Sequence, residues 1–180
     1  MNVLKYLIGF LNQFYNCLRE REDLRRFIKE TQNYPLTLPL NSLKKISYAK
    51  IKAVCRNYFF QDIDEDISIA DNYYYAMNLE DWEKLFRNLW IKPFKWEKEI
   101  FDCDDFSIFM LNRVMLYSKL KGLKYQLAFG IGWSYIHSFN VFIWRDGGIY
   151  RLYIFEPQTA EIEAPNISKE YIIRKIMFLS

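Results

Sequence analysis

The feature that most restricts the fold of this chain is the sequence Arg-Asp-Gly-Gly at residues 145–148. The segments 135–144 and 149–155 on either side of it are rich in aromatic and β-branched residues. Asp-Gly is a favoured centre of the two-residue turns that join antiparallel strands. The sequence therefore predicts a β-hairpin whose turn also decides which side chains face each other.

The position of this turn has a direct consequence for the only histidine of the chain, His137. If the turn is Asp-Gly at 146–147, His137 lies directly opposite Glu156. If the turn is Gly-Gly at 147–148, His137 lies opposite Gln158 and Glu156 becomes its diagonal neighbour. Side chains on the same sheet face reach each other in both arrangements. Both registers thus predict a contact between the histidine and a carboxylate.

Cys103 lies in the first turn of a predicted helix that extends to about Leu120. The helix dipole and the free N–H groups at this end favour a thiolate. Asp104 and Asp105 have the opposite effect, because neighbouring negative charges raise the pKa of a thiol. A bound hard cation would remove that penalty, and carboxylates are its preferred ligands. The alternative is that Asp102 caps the helix and the other two aspartates occupy ordinary first-turn positions.

Structural roles for the same residues also stay open. A free cysteine is most often a small buried apolar residue. A single histidine on a strand is more often a structural residue than a base. Residue types alone therefore indicate a Cys–His–Glu triad without excluding these alternatives.

Composition excludes several classes of protein. Three cysteines without a CxxC pair argue against a disulfide framework or a zinc site and favour a reducing, intracellular compartment. A net charge of +3 provides no basic surface of the kind that nucleic-acid binding requires. The chain has no apolar run long enough to cross a membrane and no signal-peptide cleavage site near its start. We therefore expect no nucleic-acid partner and no membrane partner.

The order of elements predicts an α+β fold. Apolar residues recur at helical spacing in five segments: 3–18, 23–29, 42–57, 79–89 and 103–120. Strand-like segments follow at 125–130, 135–144 and 149–155, and a short helix is expected near the C-terminus. We expect a helical region at 1–60 and an α+β domain at 61–180, forming one compact unit, with an antiparallel sheet after the helices.

Three short motifs occur in order along the chain: DCDDF at 102–106, HSFN at 137–140 and FEPQT at 155–159. Together they resemble the papain-like fold and its transglutaminase-like branch. Of these two groups, the closer resemblance is to papain-like cysteine protease domains similar to the C-terminal domain of the fairy-ring mushroom agglutinin. This resemblance covers the chain from Asp71 or Trp96 to Thr159. The segment before residue 60 contains none of the Q-x-W repeats of that agglutinin's sugar-binding domain.

The resemblance implies a thiol hydrolase that cleaves peptide bonds in a peptide or protein substrate. It implies Cys103 as the nucleophile, His137 as the base and Glu156 as the residue that orients the histidine. If an amine attacked the acyl-enzyme in place of water, the chain would instead be a transglutaminase-like, amide-modifying enzyme.

The resemblance also assigns residues around this triad. It implies that calcium or manganese binds at Asp104 and Asp105. Trp96 and Gln158 match positions at the substrate cleft. Glu97 stands where papain has its oxyanion glutamine, so backbone N–H groups at the helix start would have to serve instead.

An alternative interpretation is that the chain is not an enzyme but a non-catalytic module that binds carbohydrate or protein through aromatic residues. The candidates for such a surface are Tyr73, Tyr74, Tyr75, Trp133 and Trp144. A thiol of Cys103 within hydrogen-bond reach of the His137 ring would favour catalysis, whereas a buried or distant pair would favour the binding module.

Overall fold

The structure of the chain is a computed structural model that describes residues 40–59, 66–90, 102–165 and 168–179. All of them fall in one compact unit, Leu36–Ser180. The helices predicted before residue 30, Cys17 and Trp96 lie outside the described residues. None of the helices in the described ranges is long and apolar enough to cross a membrane.

The described residues form eight strands and three α-helices. In order they are β1 Lys44–Ser47, α1 Tyr48–Arg56, β2 Asp66–Ile69, β3 Tyr73–Ala76, α2 Leu79–Leu89, α3 Cys103–Leu120, β4 Phe129–Trp133, β5 Ser138–Asp146, β6 Ile149–Glu156, β7 Glu161–Glu163 and β8 Lys175–Phe178. A 3₁₀ turn at Lys169–Tyr171 precedes β8.

A six-stranded sheet with the order β2-β8-β4-β5-β6-β7 forms the centre of this unit. Its neighbouring strands are antiparallel except for β2 and β8, which are parallel. β1 and β3 pair separately as a two-stranded sheet. Gly130 and Gly132 in β4 allow close approach, since a Cβ at Gly130 would lie 2.3 Å from the Met177 carbonyl oxygen of β8.

Helix α2 illustrates how the sequence specifies a local element. Asn78 caps it by accepting a hydrogen bond from the backbone N–H of Asp81 at 2.8 Å. Its buried face presents Trp82, whose indole N–H donates to the carbonyl of Ile143 at 3.0 Å. Phe86 stacks on Phe155 of β6 with the ring centroids 4.2 Å apart. The helix therefore closes over the middle of the sheet through aromatic packing.

These elements confirm the predicted α+β class and the predicted helices at 79–89 and 103–120. The predicted order of helices followed by an antiparallel sheet is wrong. β1 occupies the start of the segment predicted as a helix from Ser42, and β2 and β3 also precede α3. Four-residue strands are too short to show a clear two-residue period, and β8 replaces much of the predicted closing helix.

The predicted boundary at residue 60 stays a prediction. On its N-terminal side, Ile51, Val54 and Cys55 of α1 share a hydrophobic core with β5 and β6. β1, which precedes residue 60, also pairs with β3, which follows it.

Candidate functional site

The hairpin between β5 and β6 adopts the second of the two predicted registers. Asp146 pairs with Ile149, so the turn residues are Gly147 and Gly148, and both have positive φ. Two glycines adopt these angles freely, which Asp146 would not. The direct opposition of His137 and Glu156 is therefore wrong, and the diagonal relation is the one that forms.

His137 and Glu156 nevertheless contact each other, as both registers predict. The Nε2 atom of His137 lies 2.6 Å from Oε2 of Glu156. Glu156 is only 4% exposed, and its Oε1 accepts a hydrogen bond from the backbone N–H of Gln158 at 3.0 Å. The Tyr171 hydroxyl lies 3.4 Å from the same Oε2 atom. The carboxylate is thus held in one orientation from three sides.

Tyr171 remains a neutral hydrogen-bond donor to this carboxylate. Burial raises the pKa of its hydroxyl, and the negative charge of Glu156 raises it further. The contact joins the 3₁₀ turn to the end of β6. Nothing in the sequence pattern predicted that this turn lies near His137.

The loop between β4 and β5 fixes the position of His137. The hydroxyl oxygen of Ser134 accepts hydrogen bonds from the backbone N–H groups of Ile136 and His137, at 3.2 and 3.0 Å. The backbone N–H of Ser134 donates to the carbonyl of His137 at 2.9 Å. This turn presents the imidazole toward Glu156 immediately before β5 begins.

Cys103 is the first residue of α3, as predicted, and Asp102 caps the helix. The side chain of Asp102 accepts from the backbone N–H of Asp104 at 3.1 Å. Asp105 completes a capping box by accepting from the backbone N–H of Asp102 at 3.2 Å. The half-buried thiol of Cys103 lies beside the backbone N–H of Ser138, the residue after His137.

The surroundings of Cys103 disfavour its thiolate. Burial raises the pKa of the thiol, the N–H of Ser138 partly opposes this, and the charges of Asp104 and Asp102 raise it again. Among the residues that the structure describes, no hydrogen bond joins this thiol to the His137 ring. The fold brings the thiol next to the histidine segment without pairing the two groups.

The two aspartates proposed as cation ligands already have partners in the protein. Asp104 accepts a hydrogen bond from the indole N–H of Trp133 at 3.1 Å, and Asp105 belongs to the capping box. Within the described ranges no group of three or more His, Cys, Asp or Glu side chains is placed to hold a metal ion. These residues do not form a complete ligand set, and the calcium or manganese ion stays a prediction.

Removing the charge of Asp104 should raise the reactivity of Cys103. In Asp104→Asn the side-chain carbonyl can still accept from Trp133, while the charge that raises the thiol pKa is lost. We expect alkylation by iodoacetamide at pH 7.5 to be about twofold to fivefold faster. Glu80→Gln on α2 is the matched control and should leave the rate unchanged.

The same variant tests the predicted cation. If calcium raises the melting temperature of the parent chain but not of Asp104→Asn, a cation binds there. If EDTA and calcium change neither melting temperature nor thiol reactivity, Asp104 binds no cation. Its roles are then to accept the hydrogen bond from Trp133 and to place a negative charge at the helix N-terminus.

A cavity of about 300 Å³ opens beside the histidine–glutamate pair. Its walls are formed by Ile136, His137, Glu156, Gln158, Thr159, Glu170 and Tyr171. Gln158 is among these residues, and its predicted role in substrate binding stays a prediction. Glu170 and Tyr171 were missed because they come from the 3₁₀ turn, which neither motif nor register connects with His137.

Comparison with known proteins finds one matching family model and similar solved structures. A model of the family described as "Agglutinin C-terminal" matches residues 74–162. A solved structure described as "PSL1a-E64 complex" has a TM-score of 0.62 at 22% identity, over 74% of this chain and 51% of its own. Polyporus squamosus lectin, bound to the human-type influenza-binding epitope Neu5Aca2-6Galb1-4GlcNAc, has a TM-score of 0.59 at 22% identity.

The second match covers 74% of this chain and 49% of the lectin, so the chain spans about half the length of both solved structures. No curated protein matches the chain significantly.

These similarities contradict the predicted cysteine protease and thiol hydrolase, since they are to an agglutinin domain and to lectins. They do not support a peptide substrate either. The unpaired arrangement of Cys103 and His137 and the raised thiol pKa agree with this correction. The predicted link to mushroom agglutinins holds. Residues 74–162 are thus similar to the C-terminal domain of an agglutinin, on an α+β fold similar to that of Polyporus squamosus lectin.

Proposed function

We propose that this chain is a carbohydrate-binding module and that the cavity at His137 and Glu156 receives the saccharide. The observation that carries the proposal is a cavity lined by hydrogen-bonding groups beside an aromatic ring, in a chain similar to agglutinins and lectins. Lectins bind carbohydrate, which supports the binding-module reading of the sequence.

The wall of the cavity suits a polyhydroxylated ligand. Glu156 fixes the orientation of the His137 ring through Nε2, so the Nδ1 atom of that ring is preorganised for a sugar hydroxyl. Gln158 and Thr159 add a side-chain amide and a hydroxyl, and the ring of Tyr171 offers an apolar face for the C–H groups of a pyranose.

The charge of the wall favours a neutral saccharide. Among the lining residues that the structure describes, Glu156 and Glu170 contribute carboxylates and His137 is the only basic group. A ligand that carries its own carboxylate at this position would be repelled. The neutral disaccharide Galβ1-4GlcNAc is therefore a better probe of the cavity than its sialylated form.

The expected result is that Gln158→Ala weakens binding of Galβ1-4GlcNAc by about twofold to tenfold, because one hydrogen bond is lost. Isothermal titration calorimetry measures the affinity, and the melting temperature checks that folding is unchanged. Asn112→Ala, which removes an exposed amide on α3, is the matched control and should bind like the parent chain. Equal affinities for both variants, or no binding of neutral saccharides by the parent, would contradict the cavity as a sugar site.

A second candidate is a reactive-thiol site formed by Cys103, His137 and Glu156, whose catalytic roles stay predictions. It is favoured by the placement of the thiol beside the N–H that follows His137 and by the His137–Glu156 contact. A helix that carries a cysteine at its start, packed on a strand preceded by a histidine, also supports the finer proposal of a papain-like architecture. Selective labelling of Cys103 relative to Cys55 tests this candidate.

A further inference from the structure

Three tyrosines and two lysines cluster at the end of β4 that is farther from the cavity. We call this cluster the tyrosine–lysine patch; its members are Lys45, Tyr73, Tyr75, Lys124 and Tyr125. Tyr73 is 40% exposed and both lysines are exposed. The function proposed above makes no use of it.

Pairing between separate segments builds the patch. Lys45 of β1 lies opposite Tyr75 of β3 in the strand register. The backbone N–H of Tyr75 donates to the carbonyl of Gln126 at 2.8 Å, which brings Tyr125 to the same surface. Tyr125 then packs between Tyr73 and Tyr75, with centroid separations of 5.6 and 5.4 Å.

Two positive charges converge on these rings. The Nζ atom of Lys45 lies 3.5 Å from the centroid of Tyr73 and 5.0 Å from that of Tyr125. The Nζ atom of Lys124 lies 5.5 Å from the centroid of Tyr125. In the described part of the chain neither ammonium group forms an ion pair with a carboxylate. Within the described residues, the positive charge of the patch is therefore not neutralised by an ion pair.

The chemistry of Tyr125 agrees with this geometry. Its hydroxyl pKa is lowered, first by a hydrogen bond with Lys45 and then by the charges of Lys124 and Lys45. Both ammonium groups lie within 5.5 Å of the Tyr125 ring centroid, so an anionic group bound beside this ring would be stabilised by two charges at once.

The patch is separate from the cavity. Tyr75 forms a bridge with Leu127, just before β4, whereas the loop that carries His137 follows Trp133 at the other end of that strand. Six residues of extended chain correspond to about 20 Å. A ligand in the cavity would therefore not reach the patch, and the two surfaces can be tested independently.

We propose that the tyrosine–lysine patch is a second binding site, for a saccharide that carries a negative charge. Tyrosine rings pack against the C–H faces of sugars, and the two ammonium groups pair with a carboxylate or a sulfate. The rings are inclined to each other by 53° and 62°, so they do not form a parallel stack. Successive nucleic-acid bases need stacking platforms along a basic groove, which two lysines in a chain of net charge +3 do not supply.

The test is a titration of the ¹⁵N-labelled chain with Neu5Acα2-6Galβ1-4GlcNAc and, separately, with Galβ1-4GlcNAc. The sialylated ligand should shift the backbone signals of Tyr73, Tyr75 and Tyr125, and the neutral ligand should not. Lys45→Gln should weaken binding of the sialylated ligand by about twofold to fivefold, the range of one exposed charge pair. Raising the salt concentration to 0.5 M should have a similar effect.

Two variants separate this proposal from the others. Lys169→Gln removes an exposed lysine outside the patch and should not change binding of the sialylated ligand. Lys45→Gln should leave binding of Galβ1-4GlcNAc in the cavity unchanged. Equal shifts of the Tyr73, Tyr75 and Tyr125 signals with both saccharides, equal effects of Lys45→Gln and Lys169→Gln, or tighter binding of a thymidine oligonucleotide at the patch would each overturn the proposal.

Discussion

Replacing Gly130 by alanine should lower the free energy of unfolding by about 3 kcal/mol. The added Cβ would lie 2.3 Å from the carbonyl oxygen of Met177 and 3.1 Å from the ring of Phe178. Because the first contact is with backbone, no rotamer change relieves it, and β4 would have to separate from β8. Urea unfolding followed by circular dichroism measures the change.

Gly122→Ala is the matched control for this prediction. Gly122 has a φ of 70° but nothing within 4 Å of its Cβ position, so only the backbone preference is lost. We expect a cost of about 1 kcal/mol there. If both variants lose the same free energy, the contact between β4 and β8 is not what requires glycine at position 130.

Iodoacetamide should modify Cys103 at least about a hundredfold faster than Cys55 in the native protein. Cys55 is 0% exposed, and burial raises the pKa of its thiol to about 12. Cys103 is half-buried, and two backbone N–H groups stabilise its thiolate in part. Peptide mapping after timed alkylation gives both rates.

The pH dependence of this labelling follows from the direction of the shift. Since the pKa of Cys103 is raised, the thiolate is a minor form at pH 7 and increases about tenfold per pH unit below that pKa. The rate should therefore rise throughout the range from pH 7 to 8.5. Cys103→Ser should lose the iodoacetamide adduct at this position. Faster modification of Cys55 would contradict the reactive-thiol site.

The sequence was sufficient for the parts of the fold that depend on local signals. Helix α3 begins at Cys103 because Asp102 caps it, and both signals are adjacent in the sequence. The contact between His137 and Glu156 was predictable because either turn places both side chains on one face. The choice between the turns was not, since Asp-Gly and Gly-Gly satisfy similar rules and only packing of the whole sheet decides between them.

Other parts of the site depend on contacts between distant segments. The hydrogen bond from Trp133 to Asp104 joins residues 29 positions apart, and no periodicity indicates it. The cavity depends on Tyr171, which approaches Glu156 only because β8 inserts between β2 and β4. Short strands such as β8 gain their stability from neighbours and carry little signal of their own.

The carboxylate of Glu156 links three segments of the chain, so that the ordering of each one depends on the other two. It contacts the loop before β5, the turn after β6 and the 3₁₀ turn before β8. Opening any one of them leaves a buried charge with fewer donors, so the three should fluctuate together and not independently. Amide hydrogen exchange at His137, Gln158 and Tyr171 should then occur through one shared opening event, and a ligand bound in the cavity should slow it at all three positions at once.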